Sequence, residues 1–111
     1  MSDYFDSADL KDFSQIGEHA EPLAKDFFKY YGAATATDGA LSKREKALIA
    51  LAVAHSEQCP YCIDAYTTTC LEAGANPEQM MEAVHVAASM KAGITLVHAT
   101  QMRKHLRKLT L

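Results

Sequence analysis

The chain has 111 residues, of which 49% are hydrophobic and 23% charged, with a formal net charge of −3 and three cysteines. This length and apolar content predict one domain over residues 1–111 that folds without disulfide support. The acidic balance excludes a general attraction to nucleic acid, and the longest apolar run, residues 47–54, is far shorter than the roughly 20 residues of a membrane-spanning helix. The odd number of cysteines and the polar, acidic start favour a cytoplasmic protein.

The first periodic segment is residues 22–31, whose apolar side chains recur at spacings of three and four and share one helical face. Pro22 is typical of a first helical turn, and Gly32 is typical of a helix end. Residues 32–41 are mostly small and polar. We expect a loop there, or a frayed helix end followed by a loop.

Residues 42–45, Ser-Lys-Arg-Glu, fit a capping box, in which the serine and the glutamate pair with each other's backbone N–H. A helix is therefore predicted to begin near Lys43. Residues 47–54 are apolar on all sides of this helix, which indicates burial by several neighbours and predicts a central position in the fold.

Residues 59–62 read Cys-Pro-Tyr-Cys and follow that central helix. Pro60 suits the first position of a new helix, which we expect to end at Gly74. Both thiols would then lie at the N-terminus of this helix, with Cys59 at the N-cap and Cys62 one turn inside.

Residues 76–79, Asn-Pro-Glu-Gln, repeat the start signal, and apolar residues follow at helical spacing. Because Gly93 interrupts the pattern, a kink or break is predicted at residues 91–93, before a final helix that runs to about Arg107. No segment alternates as a strand would. The predicted fold class is all-α, a single-domain helical bundle of five or six helices whose alanine-rich faces favour a homo-oligomer.

The cysteine pair indicates reversible redox chemistry, because two thiols at this spacing can close a disulfide across one helical turn. The reactive form is the thiolate, and the helix dipole favours negative charge on Cys59. Two alternatives are a pair of small buried residues without a redox role, and half of a zinc site that lacks further ligands at a customary spacing. Cys70 is two helical turns from Cys62, too far for a disulfide, and is interpreted as a buried apolar residue.

Candidate residues for proton transfer surround the pair. His55 lies four residues before Cys59 and is the candidate base. Tyr66 lies one turn after Cys62, so its hydroxyl could donate to a thiolate, or it could be an ordinary core tyrosine. Glu57 is close in sequence, but a carboxylate raises the pKa of a thiol and would help only through a histidine or a water.

Residues 41–75 contain Ala-His at positions 54–55 and Cys-Pro-Tyr-Cys-Ile-Asp-Ala at positions 59–65. This segment resembles the carboxymuconolactone decarboxylase superfamily, specifically its alkyl hydroperoxidase D-like branch. Residues 82–88 and 93–98 resemble the same branch. A closer likeness is to the arsenosugar biosynthesis-associated peroxidase-like group. The resemblance implies helical subunits in homotrimers or homohexamers, a peroxide or disulfide substrate, and an external thiol reductant. No cofactor, resident metal, nucleic acid or membrane partner is expected.

The active-site pattern of that branch is a glutamate, eleven residues, Cys-x-x-Cys, three residues and a histidine. The resemblance makes Cys62 the attacking thiol and Cys59 its disulfide partner. The glutamate position falls on Ala47 and the histidine position on Tyr66, so both members of the usual proton relay are missing. The substitutes expected for them are His55, Glu57 and Tyr66.

Three functions remain open. The leading one is a thiol-dependent oxidoreductase, peroxidase-like or disulfide-exchanging, that uses Cys59 and Cys62. The second is a protein that binds a soft metal or a metalloid such as trivalent arsenic through the same thiols without turnover. The third is a carboxymuconolactone-type decarboxylase, which ranks last because that chemistry needs no Cys-x-x-Cys and the sequence shows no evident site for an anionic substrate.

Overall fold

The computed structural model describes residues 5–110, and all regular structure in that range is helical. A 3₁₀ helix (Ser7–Gln15) precedes five α-helices: α1 (Glu21–Thr35), α2 (Lys43–Ser56), α3 (Pro60–Glu72), α4 (Pro77–Val97) and α5 (Ala99–Thr110). The prediction of an all-α fold is confirmed. Helix α2 is central, since it packs against α1, α3 and α4, whereas α5 continues the chain beyond α4 and is exposed along most of its length. Across residues 5–110, none of the helices combines the length and apolarity needed to cross a lipid bilayer.

The predicted helix starts at residues 42 and 76 are confirmed. The Ser42 hydroxyl accepts a hydrogen bond from the Glu45 N–H at 3.1 Å, and the Glu45 carboxylate accepts one from the Ser42 N–H at 2.8 Å. These bonds with Ser42 lower the pKa of Glu45. The side chains of Asn76 and Gln79 make the same reciprocal pair, at 2.8 and 3.0 Å. Each box pairs N–H groups that a helix start otherwise leaves unsatisfied.

Helices α2 and α3 both end in a Schellman motif, whose first residue beyond the helix has a left-handed backbone. Gln58 has a φ of 55°, and its N–H donates to the His55 carbonyl, while the Cys59 N–H donates to the Ala54 carbonyl. Gly74, with a φ of 91°, ends α3 through the same two kinds of bond. The predicted stop there is confirmed, and the tight turn after α2 brings the chain directly into α3.

Two helix boundaries predicted from glycines are wrong. Gly32 lies inside α1, which continues to Thr35, so the stop predicted there is wrong, and the alternative of a helix end followed by a loop is confirmed. Gly93 lies inside α4, which continues to Val97, so a break at residues 91–93 is wrong, and the helix is interrupted at His98. A glycine costs a helix only about 1 kcal/mol relative to alanine, and the well-formed turns on either side outweigh that cost. The 3₁₀ helix near the N-terminus was not predicted.

The apolar core of the described chain is small. Its buried side chains are Ala47, Leu51, Ala54, Cys70 and Ala75. All of them come from α2, α3 and the turn after α3, so the core lies between these two helices. Ile49 and Val53 on the other side of α2 are 52% and 55% exposed, so the expectation that α2 is buried on all sides is wrong for a single chain.

Candidate active site

Cys59 and Cys62 occupy the N-cap and the third position of α3, where the sequence placed them. Their sulfur atoms lie 2.7 Å apart, and both are free thiols. The Cys62 N–H donates to Cys59 Sγ at 3.3 Å, the bond that an N-cap side chain accepts. This bond satisfies one of the N–H groups that a helix start otherwise leaves without a partner. Because a disulfide bond is about 2.05 Å long, closing one here requires only a small approach of the two atoms.

The Cys62 thiol has a different electrostatic environment. Burial raises the pKa of Cys62 from 9.0 to about 11, and its hydrogen bond and charge interaction with Cys59 add to the shift. Cys62 therefore keeps its proton at neutral pH, and an attack by Cys62 needs an acceptor for that proton.

Cys62 lies between two cavities. The first cavity, of about 330 Å³, is beneath the 3₁₀ helix, and the second, of about 510 Å³, is between α1 and α2. Cys62 lines both, and Cys59 lines the second. Apolar side chains make up most of the first wall, among them Leu10, Phe13, Ile16 and Ala65. Apolar side chains also line the second cavity, among them Leu41, Ile49 and Val53.

Two tyrosines form a wall that the cavities share. The Tyr66 hydroxyl on α3 is hydrogen-bonded to the Tyr31 hydroxyl on α1, and both residues line both cavities together with Cys62. The Tyr31 ring stacks on Phe27 and meets the edge of Phe13, which fixes it between α1 and the 3₁₀ helix. Burial, followed by the hydrogen bond and charge of Tyr66 and the charges of the cysteines, raises the pKa of Tyr31 far above 10.

The other two predicted site residues, Glu57 and His55, lie at the C-terminal end of α2. Glu57 is exposed at the end of α2 and lines the second cavity with both cysteines. The His55 ring pairs through Nδ1 with the Leu51 carbonyl of its own helix at 2.9 Å. In residues 5–110 this ring makes no hydrogen bond to either sulfur, so its role as a base stays a prediction.

Ala47, at the family's glutamate position, is fully buried in the apolar core, and Tyr66 packs against the same core cluster. The polar partner of Tyr66 therefore comes from α1, as Tyr31, and not from α2. Sequence reasoning missed Tyr31 as a site residue. It precedes Tyr66 by 35 positions, and its only sequence signal was a place in the apolar period of α1.

Cys70 stands apart from the pair. It is fully buried in the core, where desolvation raises its pKa, which confirms the prediction of a buried apolar residue. Over residues 5–110, no three His, Cys, Asp or Glu side chains come together as potential metal ligands.

Comparison with known proteins places this site in a family context. The family model described as carboxymuconolactone decarboxylase family matches residues 21–104, from the start of α1 into α5. The chain is 53% identical over 64 residues to uncharacterized protein 4 in cox locus of Paracoccus denitrificans, and the match spans 58% of each protein. The chain thus covers less than two thirds of that relative.

The fold is similar to that of a solved structure. This is the apo form of a carboxymuconolactone decarboxylase family protein from Legionella pneumophila, with a TM-score of 0.66 and 30% identity. The superposition covers 91% of this chain and 89% of the other. The similarity therefore extends beyond the cysteine motif to most of the chain.

Proposed function

The chain belongs to the carboxymuconolactone decarboxylase family, and we propose that it is a thiol-dependent oxidoreductase of the alkyl hydroperoxidase D-like branch. The observation that carries the proposal is the contact of the Cys59 and Cys62 sulfurs, 2.7 Å apart at a helix start and beside two cavities. Two free thiols this close can give up two electrons together by forming a disulfide.

The reaction that we assign is the reduction of a peroxide. The Cys62 sulfur attacks one peroxide oxygen, an S–O bond forms, the O–O bond breaks, and the Cys62 proton is lost to water. The leaving oxygen takes up a proton and departs as an alcohol or as water. Cys59 then attacks the Cys62 sulfur, so that an S–S bond forms, the S–O bond breaks, and the hydroxyl group leaves as water with the Cys59 proton.

The cycle closes when an external thiol system returns two electrons to the disulfide. A disulfide substrate would be reduced by the same pair through attack on sulfur. We place this chemistry in the cytoplasm, because a reducing compartment regenerates the two thiols.

Thiol trapping followed by mass spectrometry tests this proposal. The reduced protein is treated with one equivalent of hydrogen peroxide or tert-butyl hydroperoxide, denatured with an alkylating reagent, and digested. We expect a disulfide between Cys59 and Cys62, with Cys70 recovered alkylated as the internal control. Cys59→Ser and Cys62→Ser should lose the disulfide, whereas Cys70→Ala should retain the reaction.

Other outcomes would favour the alternative functions. Alkylation of all three cysteines after peroxide and disulfide treatment contradicts the proposal. Turnover of a carboxymuconolactone-type lactone by the double variant Cys59→Ser, Cys62→Ser indicates a decarboxylase. Stoichiometric binding of arsenite or a soft metal ion without any turnover, lost in either single variant, indicates a binding protein.

We also propose that the chain self-associates as a homotrimer or homohexamer. Its radius of gyration is 18.9 Å, whereas a globular chain of this length has a radius of about 13 Å. A stripe on α4, which we call the α4 stripe, remains 54–61% exposed; it consists of Val86, Met90, Ile94 and Val97. Burying such apolar surface against another copy stabilises the fold.

Native mass spectrometry checks this assembly. We expect an oligomer for the wild-type protein and dissociation in Met90→Glu, because a charge in the α4 stripe cannot be buried cheaply. Ala92→Glu places the same charge on the far side of α4 and serves as the control. A wild-type monomer at micromolar concentration would contradict the proposal.

A further inference from the structure

The hydroxyl pair of Tyr31 and Tyr66 contains one more O–H than its own hydrogen bond uses. Each phenol has a single O–H donor. One of them donates to the other oxygen, so the second O–H is left for another acceptor. In the part of the chain that the structure describes, neither oxygen has a further hydrogen-bond partner. The remaining O–H is available to a molecule in the cavities that both tyrosines line with Cys62.

This pair is suited to donate a proton and not to accept one. The raised pKa of Tyr31 keeps its phenol protonated at neutral pH. Such a phenol cannot serve as the base for a thiol. It can protonate an alkoxide or a hydroxide, because these leaving groups are stronger bases than a phenolate.

Packing alone does not explain the two hydroxyls. A phenylalanine at either position would fill nearly the same space and avoid the cost of shielding a hydroxyl from water. Tyr31 is fixed by Phe13 and Phe27, and Tyr66 packs against the apolar core cluster. The bond between the tyrosines therefore holds the Tyr66 hydroxyl at the wall beside Cys62, which is the arrangement that a preorganised donor needs.

We propose that Tyr66 is the general acid for the oxygen that leaves when Cys62 attacks a peroxide, and that Tyr31 is a positioning residue that orients it by donating to its hydroxyl. This inference rests on the proposed function. As the S–O bond forms, the O–O bond breaks, its electron pair goes to the leaving oxygen, and the Tyr66 proton moves to that oxygen. The proton of Cys62 is lost to water, and the phenolate recovers a proton from water, so charge and atoms balance.

Oxidants with different leaving groups test the inference. The rate of reaction of the reduced protein is measured with tert-butyl hydroperoxide, whose leaving alkoxide needs a proton, and with an aromatic disulfide, whose leaving thiolate does not. For Tyr66→Phe and Tyr31→Phe we expect the hydroperoxide rate constant to fall by about tenfold or more and the disulfide rate to stay within about twofold. Tyr30→Phe is the matched control, since Tyr30 is 74% exposed on the same helix.

The outcomes separate this inference from the proposed function. A wild-type protein that does not react with the hydroperoxide contradicts the proposed function itself. If the wild type reacts and Tyr31→Phe and Tyr66→Phe match Tyr30→Phe, the general-acid role is overturned while the function stands. Equal losses with both oxidants also overturn it, because they show that the tyrosines only shape the site. Circular dichroism establishes folding, and Tyr66→Phe decides the question alone if Tyr31→Phe does not fold.

Discussion

The starts of α3 and α4 share one local design and differ in chemistry. Both helices follow a Schellman motif, both have proline at their first position, and in both the N-cap side chain accepts the N–H of the third residue. At α4, the side chains of Asn76 and Gln79 complete a reciprocal capping box. At α3, the same two positions are Cys59 and Cys62, and their sulfurs are in contact.

This comparison separates proximity from reactivity. Capping geometry brings the N-cap and third side chains together whatever their chemistry, so it stabilises a helix with oxygen and amide groups and creates a thiol pair with sulfur. The α4 box is exposed, whereas the thiol pair adjoins two cavities and a half-buried hydroxyl pair. Local backbone geometry thus accounts for the contact, and the surrounding helices account for its electrostatic environment.

The largest effect on reactivity is expected when the α3 start is given the capping side chains of the α4 start. In the double variant Cys59→Asn, Cys62→Gln, we expect complete loss of the peroxide-dependent disulfide and an unchanged or higher thermal unfolding midpoint, because oxygen caps a helix better than sulfur does. Thiol trapping and differential scanning calorimetry measure the two quantities.

The reciprocal variant Asn76→Cys, Gln79→Cys sharpens the same comparison. Its new thiols should form a disulfide with oxidised glutathione but react slowly with tert-butyl hydroperoxide, because residues 76 and 79 line neither of the two cavities beside the hydroxyl pair. A hydroperoxide rate equal to that of the natural pair would show that capping geometry alone is sufficient.

The next effect concerns the core behind the thiol pair. Ala47→Glu should destabilise the fold by about 3 kcal/mol or more, because it places a carboxylate among fully buried apolar side chains. Urea unfolding gives the change in free energy, with Lys43→Glu at the exposed start of α2 as the control. Wild-type stability of Ala47→Glu would mean that this position can hold the family's glutamate and that Tyr66 has a second polar neighbour available.

The pH dependence of alkylation isolates the environment of Cys62. Since its pKa is raised to about 11, mainly by burial, the thiolate fraction at neutral pH should be about 100-fold below that of a thiol with a pKa of 9.0. The alkylation rate of Cys62 should therefore keep rising tenfold per pH unit beyond pH 9. Peptide mapping under single-hit conditions measures it, with the urea-unfolded chain as the reference. A plateau near pH 9 in the folded protein would contradict the shielding of Cys62.

The smallest effects are expected from the caps themselves. Ser42→Ala and Asn76→Ala should each cost about 1 kcal/mol of unfolding free energy, because each removes an oxygen acceptor from a helix start. Cys59→Ala should cost only a few tenths, since sulfur is a weak acceptor. Urea unfolding of the reduced proteins compares the three. An equal loss of unfolding free energy in all three variants would show that the Cys59 sulfur caps its helix as well as the oxygens of Ser42 and Asn76 do.

Local signals in the sequence predicted much of the fold. The starts at Ser42, Pro60 and Asn76 and the stop at Gly74 were predictable because capping and left-handed turns involve residues within a few positions. Gly32 and Gly93 misled the same reasoning. Their helices continue because the cost of one glycine is smaller than the stability of the turns around it.

The candidate site was predictable only in part. Its thiols and Tyr66 lie on one helix at fixed spacings, so their neighbourhood follows from helix geometry. Tyr31 had no such signal, because its contact with Tyr66 depends on how α1 packs. His55 had a signal from its position four residues before Cys59, and in the structure its ring pairs with the Leu51 carbonyl of its own helix, so its role as a base stays a prediction.

The sequence by itself determined that this chain is helical and that two thiols meet at the start of α3, since both follow from hydrogen bonds between residues near each other in the chain. Only the tertiary structure decided that Cys62 is shielded, that it lies between two cavities, and that Tyr66 is paired with Tyr31. Desolvation and hydroxyl pairing depend on which distant segments pack around a group, and no spacing rule along the chain specifies that.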